Sequence, residues 1–253
     1  MRANILVVTT IYLVVITFAS TSALAAPDRS SDEWQFTLAP LFLWGMNIDG
    51  SSQLGPISAP LQLDFKDDVF ENLGAVFTVH FEAHKKDLAL FAEYQYVKLE
   101  PSTTIPNGPS VDIDFTIQAA EFGAGYRVTT WGNTDVEPII GARWAYQDLE
   151  AQAQGGRSLV DSNESWWDFF GGIRLWTHFN EKWSLVSRGD IGAGGSNFVW
   201  NVSFILDYQF KKWGSVFAGY RWLDYDYDNG SGQDRYAYDA LQQGPLVGIA
   251  FHW

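Results

Sequence analysis

The chain has 253 residues, no cysteine, a formal net charge of -14 and 16% aromatic residues, among them 12 tryptophans. The negative charge argues against nucleic acid as a partner, because phosphate groups would be repelled. Without cysteines an exported chain has no disulfide framework, so backbone pairing and side-chain packing must hold its fold.

The amino terminus has the pattern of a secretory signal peptide. Arg2 precedes an uncharged apolar run over residues 5–18, which small residues follow. This run is shorter than the roughly 20 residues that a membrane-spanning helix needs. Ala23 and Ala25 supply the small-x-small pair of a cleavage site. The sequence therefore predicts a signal peptide over residues 1–25 and a single domain over residues 26–253.

Beyond residue 25 no apolar run approaches the length of a helical span, so membrane insertion would require paired β-strands. The first predicted strand covers residues 34–44, where Gln35, Thr37 and Ala39 lie on the inner face and Leu41 and Leu43 thicken it. Pro40 lies in this strand and predicts a bulge or an unpaired stretch, because proline donates no ladder hydrogen bond. The predicted lipid-facing residues are Trp34, Phe36, Leu38, Phe42 and Trp44.

Nine further segments continue the pattern in chain order: residues 73–84, 88–99, 112–128, 136–149, 166–178, 183–192, 200–210, 216–227 and 247–253. Period-two alternation over residues 200–210 excludes an amphipathic helix. The apolar phase shifts near residues 118–120, which predicts a bulge. Residues 50–72 are interpreted as an extracellular extension, with an extra hairpin as the alternative. The expected fold is all-β: a closed antiparallel transmembrane β-barrel of about ten strands, with eight to twelve possible.

The connections alternate in length, as in barrels that have short periplasmic turns and longer outer loops. The short connections are residues 84–87, 129–135, 179–182 and 211–214. The connections between them are mostly longer: residues 47–72, 100–111, 150–165 and 228–234. Residues 192–197 are an exception to this alternation of short and long connections. Both termini are therefore expected on the periplasmic side. Aromatic girdles are predicted from Trp34, Trp131, Trp183, Trp213 and Trp253 on one side and Trp44, Trp166, Trp222 and Tyr225 on the other.

Two segments carry a resemblance to a known family: the strand Gly219-Tyr220-Arg221-Trp222-Leu223-Asp224-Tyr225 and the terminal Phe251-His252-Trp253. With the signal peptide, they make most of the chain resemble small proteobacterial outer-membrane β-barrel proteins, many without an assigned activity. The resemblance implies the outer membrane of a Gram-negative bacterium, with lipids that include lipopolysaccharide. It also implies that the barrel-assembly machinery recognises the last strand, through Val247, Ile249, Phe251 and Trp253. It leaves the activity and the oligomeric state open.

Strand alternation places a mixed set of charges in the predicted lumen: Glu82, Glu93, Glu121, Arg127, Glu137, Arg143, Asp168, Arg174, Arg188, Asp190, Asp207 and Arg221. Such a set either packs as ion pairs that fill a narrow barrel or lines a polar pathway for solutes. We favour the packed interior, because a barrel of about ten strands is only slightly wider than one that side chains fill. Phe91, Phe217 and Leu246 also point inward.

The sequence indicates no catalytic, cofactor or metal site. His80, His84, His178 and His252 all fall in the predicted periplasmic half, away from the outer rim where an outer-membrane enzyme would act, and are interpreted as interfacial. Asp224, Asp226 and Asp228 only partly resemble a calcium loop, since Gly230 is one position late and Arg235 replaces the closing glutamate. The sequence therefore predicts that the protein is not an enzyme. It is a plugged barrel with a structural or surface-interaction role, or else a narrow channel for small solutes or ions.

Overall fold

The computed structural model describes residues 31–104, 110–153 and 156–253, so the predicted signal peptide lies outside the described residues. One antiparallel sheet of fifteen strands contains almost all of the regular structure. No helix among the described residues is long and apolar enough to cross a membrane.

The strands in chain order are β1 (Gln35–Ala39), β2 (Phe42–Trp44), β3 (Asn47–Leu54), β4 (Ile57–Leu63), β5 (Leu73–Lys85), β6 (Leu88–Leu99), β7 (Ser102–Thr104), β8 (Ser110–Tyr126), β9 (Thr129–Trp131), β10 (Thr134–Ala153), β11 (Arg157–His178), β12 (Trp183–Gly194), β13 (Phe198–Lys211), β14 (Gly214–Asn229) and β15 (Tyr236–His252). A π-helical turn (Phe65–Phe70) precedes β5, and a 3-10 turn (Gly232–Asp234) precedes β15.

The sheet closes on itself as a ten-stranded barrel, as predicted. The order of neighbouring strands around the barrel is β1, β5, β6, β8, β10, β11, β12, β13, β14 and β15. The ring is closed because β1 also pairs with β15. Short turns and both described termini lie at one end of the barrel, the turn end. The longer connections lie at the other, the loop end.

The predicted break at Pro40 is confirmed, and it changes which side chains face the lumen. The β1–β5 ladder stops at Ala39, opposite His80. Beyond Pro40 the prediction of lipid-facing Phe42 and Trp44 is wrong: Phe42 is buried, whereas Leu41 and Leu43 are 50% and 51% exposed. The cause is the unpaired Pro40 and Leu41 between β1 and β2, because an offset of one residue in a strand exchanges its two faces.

Beyond Pro40, where the β1–β5 ladder has ended, hydrogen bonds from a side chain replace the missing backbone pairing. The buried hydroxyl of Thr78 in β5 accepts a hydrogen bond from the Phe42 N–H at 2.8 Å and donates one to the Phe42 carbonyl. Thr78 therefore joins β2 to β5 where the β1–β5 ladder has ended.

The bulge predicted near residues 118–120 is not present. Strand β8 keeps a continuous register with β6 and β10 through Gln118 and Ala120. The apolar phase shifts because the environment changes along the barrel. Ile117 faces inward into a buried cluster at the loop end, whereas Phe122 is 51% exposed on the outer surface.

Two predicted loops contain paired strands. Residues 50–72 include the hairpin of β3 and β4, which was the alternative interpretation. Residues 150–165, predicted as a loop, mostly extend the β10–β11 hairpin to the pair Ala153 and Arg157. Backbone pairing continues there although the residues are polar, so the period-two pattern of apolar residues underestimates strand length outside the membrane-facing belt.

The outer surface carries a belt of exposed apolar side chains. At the turn end the predicted aromatic girdle is outward and exposed, with Trp131, Trp213 and Trp253 at 85%, 54% and 62% exposure. At the loop end the girdle prediction is wrong for Trp44, Trp166 and Tyr225, which point into the barrel. A closed barrel with this belt is a structure that spans a lipid bilayer.

Replacing Thr78 by valine is expected to lower the free energy of unfolding by about 1–3 kcal/mol, because the buried N–H and carbonyl of Phe42 lose their partner. Urea unfolding in lipid bicelles measures this change. Thr116→Val in β8 is the control, since among the described residues the Thr116 side chain makes no hydrogen bond. Equal stabilities of the two variants would show that Thr78 does not close the wall.

Candidate functional site

The candidate site is a layer of charged side chains across the middle of the lumen, here called the charge layer. Period-two alternation turns these side chains toward the lumen from strands β5, β6, β8, β10, β11, β12 and β14. Its members are His80, Glu82, His84, Glu93, Glu121, Glu137, Arg143, Arg174, Arg188, Asp190 and Arg221.

One half of the charge layer is built around Glu121 and Asp190. Arg143 donates to Glu121 at 2.6 Å and to Asp190 at 3.1 Å. Arg188 donates to the other oxygens of the same two carboxylates, at 2.6 Å to Glu121 and 2.7 Å to Asp190. Two guanidinium groups are thus shared between two carboxylates. Because Arg143, Glu121 and Asp190 are almost fully buried, each charge depends on this pairing.

The other half is built around Glu82. Arg174 donates to Glu82 and, at 2.6 Å and 3.0 Å, to Glu137, which is fully buried. The second Glu82 oxygen lies 2.6 Å from Nε2 of His84. Glu82 therefore joins β5 to β11 across the barrel interior.

His80 connects Glu82 to the third ion pair. Arg221 donates to Glu93 at 2.6 Å and to the Asn201 side chain at 2.9 Å. The two ring nitrogens of His80 lie 3.1 Å from Glu93 and 3.4 Å from Glu82. A doubly protonated imidazolium satisfies both contacts.

The rings of Phe91 and Phe170 pack against the guanidinium groups of the charge layer. Arg174 and Arg188 lie 5.2 Å and 5.3 Å from the ring centre of Phe91, and Arg143 and Arg188 both lie 5.0 Å from that of Phe170. Glycines make room for the rings. A Cβ at Gly123 would lie 2.2 Å from Phe91, so no other residue fits there without displacing the ring.

Three of the predicted lumen charges lie outside the charge layer. Arg127 pairs at the turn end with Asp87, at 2.6 Å. Asp168 is buried but binds the backbone N–H and hydroxyl of Ser196, at 2.7 Å and 2.8 Å, and so fixes the tight β12–β13 turn. Asp207 faces the lumen nearer the turn end.

The sequence interpretation missed the histidines. His80 and His84 are not interfacial but point into the lumen and contact Glu82. Their parity in β5, which equals that of Glu82, was the available signal. Phe170 and Asn201 were also missed as parts of the site, because an inward aromatic ring or amide has no distinctive sequence pattern.

On the loop side of the charge layer the lumen contains a buried aromatic cluster. Trp166 stacks on Tyr227 with ring centres 4.1 Å apart and meets Tyr225 edge-on at 5.8 Å. Tyr236 donates to Gln147, and Ile48 lies in the same cluster. A cavity of only about 30 Å³ separates this cluster from the charge layer.

On the turn side the lumen widens into a cavity of about 310 Å³. Its inner end is formed by the charge layer, and its walls carry both apolar and polar side chains. The apolar lining includes Phe42, Trp176, Val186, Ile205, Phe217 and Leu246.

No protein-family model matches the chain, and no curated protein matches it. Several solved structures align with most of the chain. The outer membrane protease OmpT of Escherichia coli aligns with a TM-score of 0.49 at 7% identity, over 87% of this chain and 96% of that one. Ail, the attachment invasion locus protein of Yersinia pestis, aligns with a TM-score of 0.38 at 7% identity (87% and 97%). The toluene transporter TodX of Pseudomonas putida aligns with a TM-score of 0.32 at 12% identity (90% and 90%).

The fold is that of an outer-membrane β-barrel. This conclusion rests on the closed ring of ten antiparallel strands, the exposed apolar belt and the aromatic girdle at the turn end. Among the described residues of this barrel, the charge layer is the most densely connected group of polar side chains, and it lies across the lumen.

Changing Arg143 to alanine is expected to destabilise the barrel by about 3–5 kcal/mol, because Glu121 and Asp190 then share a single guanidinium inside the lumen. Urea unfolding in bicelles provides the measurement.

Arg235→Ala is the matched control, because it removes an arginine from an exposed pair. Arg235 binds Asp228 at 2.6 Å and 2.9 Å, and these hydrogen bonds lower the pKa of Asp228. Its loss should leave stability nearly unchanged. If the charge layer did not stabilise the barrel, Arg143→Ala and Arg235→Ala would have the same unfolding midpoint.

Proposed function

We propose that this chain is an outer-membrane protein of a Gram-negative bacterium with a closed lumen and a structural or surface-interaction role. The observation that carries the proposal is the charge layer, in which Arg143, Arg174, Arg188 and Arg221 each bind a carboxylate. In this proposal the loop end faces outward and the turn end faces the periplasm.

The energetics of the charge layer support closure. A path for hydrated ions would have to separate Arg143 or Arg174 from carboxylates that are themselves almost fully buried. Separating such a pair leaves a buried charge uncompensated, at a cost of several kcal/mol. The aromatic cluster behind the charge layer adds a second obstacle on the loop side.

The loop end supports a role at the cell surface. There β10 and β11 continue as a paired ribbon, and their outward faces are acidic: Glu150 lies directly between Asp114 of β8 and Asp161 of β11. Lys98 of β6 binds Asp114 at 3.0 Å, and Glu150 and Asp161 remain directly opposite one another as like charges. Such a surface favours contact with cationic groups over contact with other anions.

The alternative function is a narrow channel for small solutes or ions. The observation that favours it is the cavity of about 310 Å³ at the turn end, which extends inward as far as the charge layer. A channel would require the charge layer to rearrange during conduction.

Conductance distinguishes the two functions. Refolded protein in planar bilayers is expected to stay at background conductance, and Arg188→Ala is expected to lose stability rather than to change ion selectivity. Steady conductance of the unchanged protein, with altered selectivity in a stable Arg188→Ala barrel, would establish the channel instead.

We further propose that the last strand is the assembly signal. Val247, Ile249, Phe251 and Trp253 lie on one outward face, with exposures of 49%, 48%, 39% and 62%. The change Phe251→Asp should reduce the amount of folded barrel in outer-membrane fractions. Gln243→Lys, a charged change on the same outward face nearer the loop end and beside the Asp49 carboxylate, should leave it unchanged. Normal levels of the Phe251→Asp protein would refute this role.

A further inference from the structure

The turn-end cavity contains one carboxylate that the ion pairs of the charge layer do not use. Asp207 lies on β13 and lines the cavity, between its cross-strand neighbours Ser184 and Phe217. Within the described residues no Lys, Arg or His nitrogen lies within 4.0 Å of this carboxylate, and its polar contact is the buried hydroxyl of Ser215. A partly buried carboxylate without a cationic partner attracts a cation.

The other charges at the inner end of the cavity are already neutralised, and Lys212 lies exposed at its mouth. Arg174 binds Glu82 and Glu137, Arg221 binds Glu93, and Arg188 binds two carboxylates behind the cavity wall. An anionic ligand would have to compete with these carboxylates for the guanidinium groups. A cationic ligand finds Asp207 free of any such competitor among the described residues.

The walls determine what kind of cation fits. Phe42, Trp176 and Phe217 provide ring surface, and Ile205 and Leu246 provide aliphatic surface. A bare metal ion needs several oxygen ligands, which one carboxylate beside serine hydroxyls does not supply. Aromatic rings attract an organic ammonium group, and apolar walls bury its hydrocarbon part. The volume of about 310 Å³ lies at the lower end of the range for small-molecule sites.

From these observations we infer that the turn-end cavity is a binding site for a small organic cation, an ammonium group with an apolar body, that pairs with Asp207. The mouth of the cavity, lined by Gln35, Thr37, Gln209, Lys212 and His252, admits the ligand from the turn end. This inference goes beyond the proposed function and does not require the lumen to be closed or conducting.

Equilibrium dialysis tests the site with protein in nanodiscs of zwitterionic lipid and with benzylammonium as the probe. Saturable binding at one site per chain is expected. Benzyl alcohol, of similar size but neutral, and benzoate, an anion, should each bind at least about tenfold more weakly, because neither gains a charge-assisted contact with Asp207.

The decisive variant is Asp207→Asn, which keeps the side-chain shape and should weaken benzylammonium binding by about tenfold or more. Asp226→Asn is the matched control, since Asp226 lies exposed on the outer face of β14 and its change alters the net charge equally. This control should bind as the unchanged protein does. Heat-modifiable migration on unboiled gels verifies that each barrel is folded.

A second variant covers the case in which Asp207→Asn does not fold. Ile205 is the adjacent inward residue of β13 and lines the same cavity, so Ile205→Trp should fill it and abolish binding with the carboxylate still present. The inference is overturned if the unchanged protein shows no saturable binding, if a folded Asp207→Asn or Ile205→Trp barrel binds as well as the unchanged one, or if benzyl alcohol or benzoate binds equally tightly.

Discussion

The neutralisation of buried charge inside the barrel is the constraint on which the rest of this structure depends. Arg143, Glu121 and Asp190 are removed from water almost completely, so each requires partners with good geometry. Arginine suits this task because its planar group donates to two carboxylates at once, as Arg143 and Arg188 both do. Two of these contacts, Arg143 to Asp190 and Arg188 to Glu121, join strands that are not neighbours in the sheet, and so they tie the wall together across its interior.

The wall is shaped around these contacts. Gly123 leaves the space that the Phe91 ring needs under two guanidinium groups. Pro40 ends the first ladder and turns Phe42 inward, where it lines the cavity on the turn side. The lumen is therefore asymmetric: aromatic side chains pack together on the loop side of the charge layer, while the larger cavity lies on the turn side.

Much of this architecture could be predicted from period-two alternation, because a strand in a barrel wall has one face toward lipid and one toward the lumen. Alternation predicted the outward face correctly where that face contacts lipid and is therefore apolar, as for Val247 and Phe251. It failed where apolar side chains face the interior instead. At Trp166 and Ile117 the interior itself is apolar, and the predicted girdle and bulge were wrong. His80 and His84 share the inward parity of Glu82, which both contact, so the alternation did carry a signal for their position that was not used.

One labelling measurement tests most directly whether the charge layer separates the two ends of the lumen. The chain has no cysteine, so single cysteines can be introduced at Ser52, near the loop end, and at Ile205, in the turn-end cavity. A small, charged, membrane-impermeant thiol reagent is added to intact cells. The proposal of a closed lumen predicts rapid labelling of Ser52→Cys and labelling of Ile205→Cys only after the outer membrane is permeabilised. Equal labelling of both cysteines in intact cells would contradict it.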